Sequence, residues 1–174
     1  MRLPDGVRLR PLTQHPDDRG VFTELFRDEW DTGVQPVQWN AVVSEPGVLR
    51  GVHVHPVHDD YLVVFSGRAT VGLCDLRRNS PTHGTAAAVE LGEHALQAIT
   101  IPHGVAHGFW FHEPSLHIYA VSHVWNTADE LGCPWDDPAV GIPWPEGTPH
   151  VSPRDAALPP FAVLADQLEA AAPA

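Results

Sequence analysis

A chain of 174 residues and 19.0 kDa has room for one domain and not for two ordinary ones. Its net charge of -12 excludes most nucleic-acid binders, because a phosphate backbone repels such a surface. All 10 basic residues are arginines, so any chemistry that needs a lysine Schiff base or an ammonium electrophile is excluded as well. Hydrophobic residues at 43% and charged residues at 18% describe a globular chain, and 18 prolines with 14 glycines point to many short strands rather than a helical bundle.

The opening MRLPDGVRLR lacks the apolar core of a secretory signal, and no run approaches a membrane span, so the expectation is a cytoplasmic protein without membrane or nucleic-acid partners. After the turn-forming run His15–Gly20, the first strand is predicted over Val21–Phe26. Further strands are predicted over Val37–Ser44, Leu49–His55, Tyr61–Phe65, Ala69–Leu76, Ala86–Leu91, Ala98–Ile101, Ala106–Phe111 and Leu116–Trp125. Gly, Pro, Asn and Asp separate these runs at about 8–12 residue spacing, the pattern of an all-β antiparallel sandwich or barrel. One helix is predicted, Phe161–Ala171, with Phe161, Leu164, Ala165 and Leu168 on one face and a position outside the sheets. Cys74 and Cys133 are too far apart for a CxxC pair and too few for a disulfide framework.

The 12 histidines are the compositional anomaly. His53 and His55 lie two apart on a predicted strand and share a face. With Asp60 and Gly67 they spell H-x-H-x4-D-x6-G, and Pro102–His107 spells P-x-G-x2-H. Neutral imidazoles with one carboxylate suit a divalent transition metal (Zn, Fe, Ni or Mn) held by His53, His55, Asp60 and His107. The alternative is that His53 is an acid–base residue and His55 merely lines a cavity. His15, His58, His83, His94, His112 and His150 fall in turns, where solvated histidines are expected.

Two other groupings carry chemistry. Trp135-Asp-Asp-Pro138 with Gly141-Ile-Pro-Trp-Pro145 is either aromatic packing or the source of a carboxylate, Asp137, that orients a histidine. On Leu116–Trp125, the set His117, Tyr119, Val121, His123 and Trp125 shares one face, which offers Tyr119 as an acid only if that face points inward. Arg19, Gln38, Asn40 and Arg50 pair guanidinium forks with amide side chains, a combination suited to a diphosphate.

In this order, D-x-R-G-x-F-x-E (from Asp17), Q-x-N (from Gln38), G-V-L-R-G-x-H (from Gly47), D-L-R-R-x-S-P-T (from Asp75), I-P-x-G-x-A-H-G-F (from Ile101) and W-D-D-P-A-x-G-I-x-W-P (from Trp135) are similar to the motifs of the dTDP-4-dehydrorhamnose 3,5-epimerase family within the cupins. The resemblance implies a cupin-type antiparallel β-jelly roll with a short C-terminal helix: a single domain over 1–174, core about 17–145 and helical tail about 150–174. It implies a homodimer whose arms reach across to the partner, and no organic cofactor. By position it makes His53 the catalytic base, Asp137 its orienting carboxylate, Tyr119 the acid and His107 a second active-site histidine. Arg19, Phe22, Glu24, Gln38, Asn40, Arg50 and Trp125 become substrate contacts.

The departures concern charge. Asp60 takes the place of the family's lysine, His55 that of a glutamine, Pro134 that of a basic residue and Trp125 that of a tyrosine. Asp60 also stands where cupins usually carry glutamate, and the late asparagine of the second cupin motif is absent. A cation is lost where two potential metal ligands appear, yet His53 cannot be metal ligand and free base at once. The leading expectation is an isomerase that epimerises a nucleotide-linked 4-keto-6-deoxysugar at C3, C5 or both, with metal assistance left open. The alternatives are a metal-dependent cupin performing dehydration, cyclisation or oxidation of a small natural product, and a non-catalytic sugar-nucleotide binder.

Overall fold

The computed structural model describes residues 2–126 and 130–171. Twelve strands run as β1 Arg8–Pro11, β2 Gln14–Asp17, β3 Gly20–Thr23, β4 Gln38–Ser44, β5 Leu49–Val54, β6 Asp60–Ser66, β7 Arg68–Asp75, β8 Ala86–Gly92, β9 Gln97–Ile101, β10 Val105–Phe111, β11 Ser115–Val121 and β12 Leu131–Gly132. The helices are α1 Pro153–Ala156 and α2 Phe161–Ala171. Two five-stranded antiparallel sheets face each other, one ordered β1-β9-β6-β11-β4 and the other β12-β5-β10-β7-β8, while β2 and β3 form a separate hairpin. This is the expected jelly roll.

Alternation along the strands decides what enters the space between the sheets. Leu62, Val64, Val71, Leu73, Ile99, Ile101 and Phe111 fill one end of it. Both outer faces are also covered, so the strands look apolar on both sides. Tyr61, Val63 and Ala120 pack under Leu25, Phe26, Trp30 and Val34 on one sheet. Val52, Val54, Cys74 and Ala106 pack under α2 and the aromatic segment containing Trp135, Ile142 and Trp144 on the other. The WDDP and GIPWP segments thus pack against the outside of a sheet, and Gly72 admits them: a Cβ there would lie 2.4 Å from the Trp144 ring. Both cysteines are buried in this outer layer, where burial pushes the thiol of Cys74 up to about 11 and that of Cys133 up to about 12. They are packing residues.

Two predicted strands end early. The first stops at Thr23, and Leu25 and Phe26 then turn onto the outer core. The strand expected to reach Trp125 stops at Val121, where Ser122 exchanges hydrogen bonds with Asp59 instead of continuing the ladder. The short β1, β2 and β12, of 4, 4 and 2 residues, carry too little apolar periodicity to be read in advance.

The face of α2 expected to be apolar is the one that docks: Leu164 is fully buried among Val52, Val54, Cys133 and Val140. Leu164→Ala should therefore lower the free energy of unfolding by about 2–5 kcal/mol in urea titrations, with little change at the distant cavity.

Candidate active site

Between the sheets, at the end not filled by aliphatic side chains, lies a cavity of about 410 Å³. Its walls are the inward faces of β5, β6, β10 and β11 together with the C-terminal segment. Because Val52 and Val54 point to the outer layer, His53 points inward, and His55 follows it. On β11 the same parity sends His117, Tyr119 and Val121 into the cavity. His53 stands directly opposite His107 on β10, beside a bulge between His107 and Phe109. The bulge requires glycine: Gly51 has φ 115°, and a Cβ there would come within 2.8 Å of both the Gly108 Cα and the His107 carbonyl.

The carboxylate that holds His53 is Asp155, not Asp137. His53 Nε2 lies 2.8 Å from Asp155 Oδ1. Asp137 is spent on local structure: its oxygens accept from the backbone N–H of Ala139 at 3.0 Å and of Phe161 at 2.9 Å, the latter at the start of α2. Asp155 arrives from the far end of the chain. His150 hydrogen-bonds with Gly47 and Leu49 beside β5, and Ser152 then caps α1 by accepting from the Asp155 N–H at 3.0 Å. Burial opposes ionisation of Asp155, but the hydrogen bond and charge of His53 outweigh it and hold the carboxyl below its ordinary range. Sequence reasoning missed Asp155, although Ser152-Pro-Arg-Asp155 carries the Ser-x-x-Asp signature of a helix start.

Beside this pair sits a second group. Asp60 is only 5% exposed, and it faces His55, His58 and His107. His58, expected in solvent, is 2% exposed and stacked on His55 with ring centroids 3.9 Å apart. The loop between β5 and β6 crosses from one sheet to the other over the cavity floor and carries His58 inside. Burial, then the charges of Asp59 and Glu130, push the Asp60 carboxyl well above its ordinary range. Burial also pulls His107 down to about 4, against the hydrogen bond to the Val105 carbonyl at 3.0 Å, so the ring is neutral near pH 7.

The remaining predicted contacts divide. Arg50, Tyr119 and Trp125 line the cavity, joined by Glu130 and Arg154, which the sequence reading did not single out. Arg50 Nε donates to Ser44 at 3.0 Å, and Arg154 pairs with Glu130. Burial, then the Asp60 and Glu130 charges, raise the Tyr119 phenol, which keeps its proton. Gln38 donates to Asn40 at 2.9 Å on β4, and Asn40 stands opposite Tyr119 in the ladder. Arg19, Phe22 and Glu24 do not reach this cavity. Arg19 pairs with Asp17 and Glu24 with Arg27 on or beside the exposed β2–β3 hairpin.

A jelly roll enclosing a His–Asp pair, a protonated tyrosine and rim arginines has the parts of a carbohydrate epimerase, and the protein is an epimerase-like isomerase of the cupin fold. The family model described as dTDP-4-dehydrorhamnose 3,5-epimerase matches residues 1–163, and the chain belongs to that family. It is 38% identical over 144 residues to the spore coat polysaccharide biosynthesis protein SpsL of Bacillus subtilis (strain 168), covering 80% of this chain and 95% of that one. Among solved structures it superposes on NovW, a 4-keto-6-deoxy sugar epimerase from the novobiocin biosynthetic gene cluster of Streptomyces spheroides, with TM-score 0.86 and 30% identity over 94% of this chain and 87% of that one. It also superposes on the 3,5-epimerase RmlC of Legionella pneumophila in complex with dTDP-4-keto-L-rhamnose, with TM-score 0.87 and 28% identity over 94% and 92% of the two chains.

One wall residue makes the pH behaviour of the fold testable. His117 is 3% exposed, stacks on Phe109, Phe111 and Tyr119, and its buried Nδ1 has no hydrogen-bond partner among the described residues. Burial, then the Arg50 charge, lower it to about 4. Between pH 6.5 and about 4 the unfolded chain binds this proton and the folded chain does not, so stability falls on acidification by up to about 1.4 kcal/mol per pH unit. His117→Phe should reduce the slope of unfolding free energy against pH in that window by about one proton.

Proposed function

We propose that the protein epimerises a dTDP-linked 4-keto-6-deoxysugar at C3, at C5 or at both, through an enediolate. The observation that carries this reading is the 2.8 Å contact between His53 Nε2 and the carboxylate of Asp155 at the wall of the cavity. A carboxylate only accepts, so the Nε2 of His53 carries the proton that Asp155 receives, and Nδ1 is the nitrogen left to act as base. Once His53 removes the proton beside the ketone, Asp155 stabilises the imidazolium. Tyr119, holding its proton on another wall of the same cavity, returns one to the opposite face of the sugar carbon. Arg50 and Arg154 at the rim suit the diphosphate of a nucleotide, in a chain whose net charge of -12 would otherwise repel it. The enediolate oxygen still needs a positive neighbour, and with no lysine in the chain a divalent ion is the proposed source. The alternative enzyme, a cupin catalysing dehydration, cyclisation or oxidation, finds no counterpart among the relatives named above.

Incubation in D2O with a dTDP-4-keto-6-deoxyhexose, read by mass spectrometry and NMR, tests the reaction. Deuterium should enter at C3 or C5, and His53→Ala or Asp155→Asn should slow the exchange by roughly 10²–10⁴-fold. Tyr119→Phe should keep exchange while losing inversion, because the base alone can return a deuteron to the face it came from. Absence of exchange with the unmodified protein would sink the reading for these substrates.

The reading extends to a homodimer. Phe22 and Val21 on β3 are 64% and 57% exposed, and the sheet-edge strand β4 and its approach expose Val37, Trp39 and Val43 at 58%, 44% and 70%. An apolar edge and a projecting hairpin favour pairing with a second copy, which would bring Arg19, Phe22 and Glu24 to the partner's cavity. Light scattering coupled to size exclusion should give twice the chain mass for the parent protein, and Val43→Lys should shift it toward the monomer. A monomeric parent would remove this part of the reading.

A further inference from the structure

We infer that His55, His58, Asp60 and His107 form a binding site for a divalent transition-metal ion, distinct from the His53–Asp155 pair. The Asp60 carboxylate is the centre of the argument. It is 5% exposed, and its Oδ2 receives no hydrogen bond among the described residues. Around it, the Nε2 atoms of His55 and His107 stand 3.7 and 3.8 Å from Oδ2, and that of His58 stands 4.0 Å from Oδ1. Those separations are too long for hydrogen bonds. They approach the spacing of ligands sharing an ion: a tetrahedral site with ~2.1 Å bonds has ligand-to-ligand edges of about 3.4 Å. One donor atom from each of His55, His58 and Asp60 already lies within 4.8 Å of the others, so closing on an ion takes side-chain shifts of up to about an ångström.

His107 is oriented for the same task. Its Nδ1 lies 3.0 Å from the Val105 carbonyl, which can only accept, so Nδ1 carries the proton and the Nε2 lone pair faces Asp60. A backbone carbonyl that sets the tautomer from behind is the usual support of a metal-binding imidazole. A lone pair aimed at a buried carboxylate oxygen is repulsive unless a proton or a cation stands between them, and four such groups converging are placed to share a cation. Arg50 and Arg154, the arginines lining the cavity, are engaged with Ser44 and Glu130 at its rim. Three imidazole nitrogens and one carboxylate suit Zn2+, Co2+ or Ni2+ better than Mg2+ or Ca2+.

His53 is left out of this set because its Nε2 is held by Asp155. The ligand group that includes His53, expected from the H-x-H spacing, therefore exchanges His53 for His58. That exchange removes the conflict between base and ligand. Binding of the ion stands on geometry alone. Its use as the positive partner of the enediolate rests on the epimerase reading above.

The test is made on purified full-length protein, stripped with chelator and titrated with Zn2+ by calorimetry and with Co2+ by visible absorption, without substrate. One ion per chain is expected. Asp60→Asn and His58→Ala should each weaken binding by at least about 100-fold. His53→Ala should bind the ion with unchanged stoichiometry and within a few-fold of the parent affinity. Circular dichroism of each variant separates a lost ligand from a lost fold, and Asp60→Asn preserves the side-chain shape. Failure of the parent to bind either ion, or loss of binding in His53→Ala with retention in His58→Ala, would overturn the assignment. Because this readout needs no sugar nucleotide, failure of the epimerase reading would show separately, as absent deuterium exchange in a protein that binds the ion.

Discussion

The contact between His53 and Asp155 ties together residues 102 positions apart, and the cavity depends on it. It closes one wall, because Asp155 is delivered only if the segment from His150 has paired beside β5 and Ser152 has capped α1. It also decides which nitrogen of His53 is basic, and it removes that ring from the group around Asp60. One hydrogen bond thus separates two chemistries that would compete if the imidazole were free to turn. Its partner lies beyond the jelly-roll core, so the C-terminal tail is part of the site.

The second governing constraint is electrostatic. A buried carboxylate is costly unless something positive meets it. In this cavity Asp60 has imidazoles around it, and among the described residues no arginine pairs with it. The carboxylate is not isolated: His55 and His58 accompany Asp60 on the same crossing from β5 to β6, and His107 completes the ring from β10. Four side chains of matched chemistry converge from two places in the chain, and the proposed ion site rests on that convergence. The enediolate chemistry proposed for the pocket needs positive charge at its centre, and the proposed ion would supply it.

Around the cavity, packing is arranged so that polar side chains are possible inside. Aliphatic residues fill only one end of the space between the sheets, and the outer layers under Trp30 and under α2 supply much of the remaining core. The open end can then carry histidines, a tyrosine and arginines without leaving the strands short of apolar contacts. The glycines at 51, 72 and 108 mark where backbone or a tryptophan ring approaches too closely for a side chain.

Much of this was present in the amino-acid order alone. Alternation and turn residues located nine of the twelve described strands, and parity along Leu49–His55 determined that His53 and His55 share a face. The apolar face of Phe161–Ala171 and the placement of Arg50, Tyr119 and His107 near one another followed from pattern and family motifs. Tertiary structure decided what local pattern has no means to encode. Asp137 and Asp155 are both carboxylates near helix starts; only the return of the chain onto β5 selects Asp155 for His53. His58 looks like a loop residue in sequence, but its loop crosses between sheets and buries it. The face of β11 bearing His117 and Tyr119 was undetermined because both sides of that sheet are covered, leaving no solvent-facing side for alternation to reveal. Long-range pairing, not residue type, made those choices.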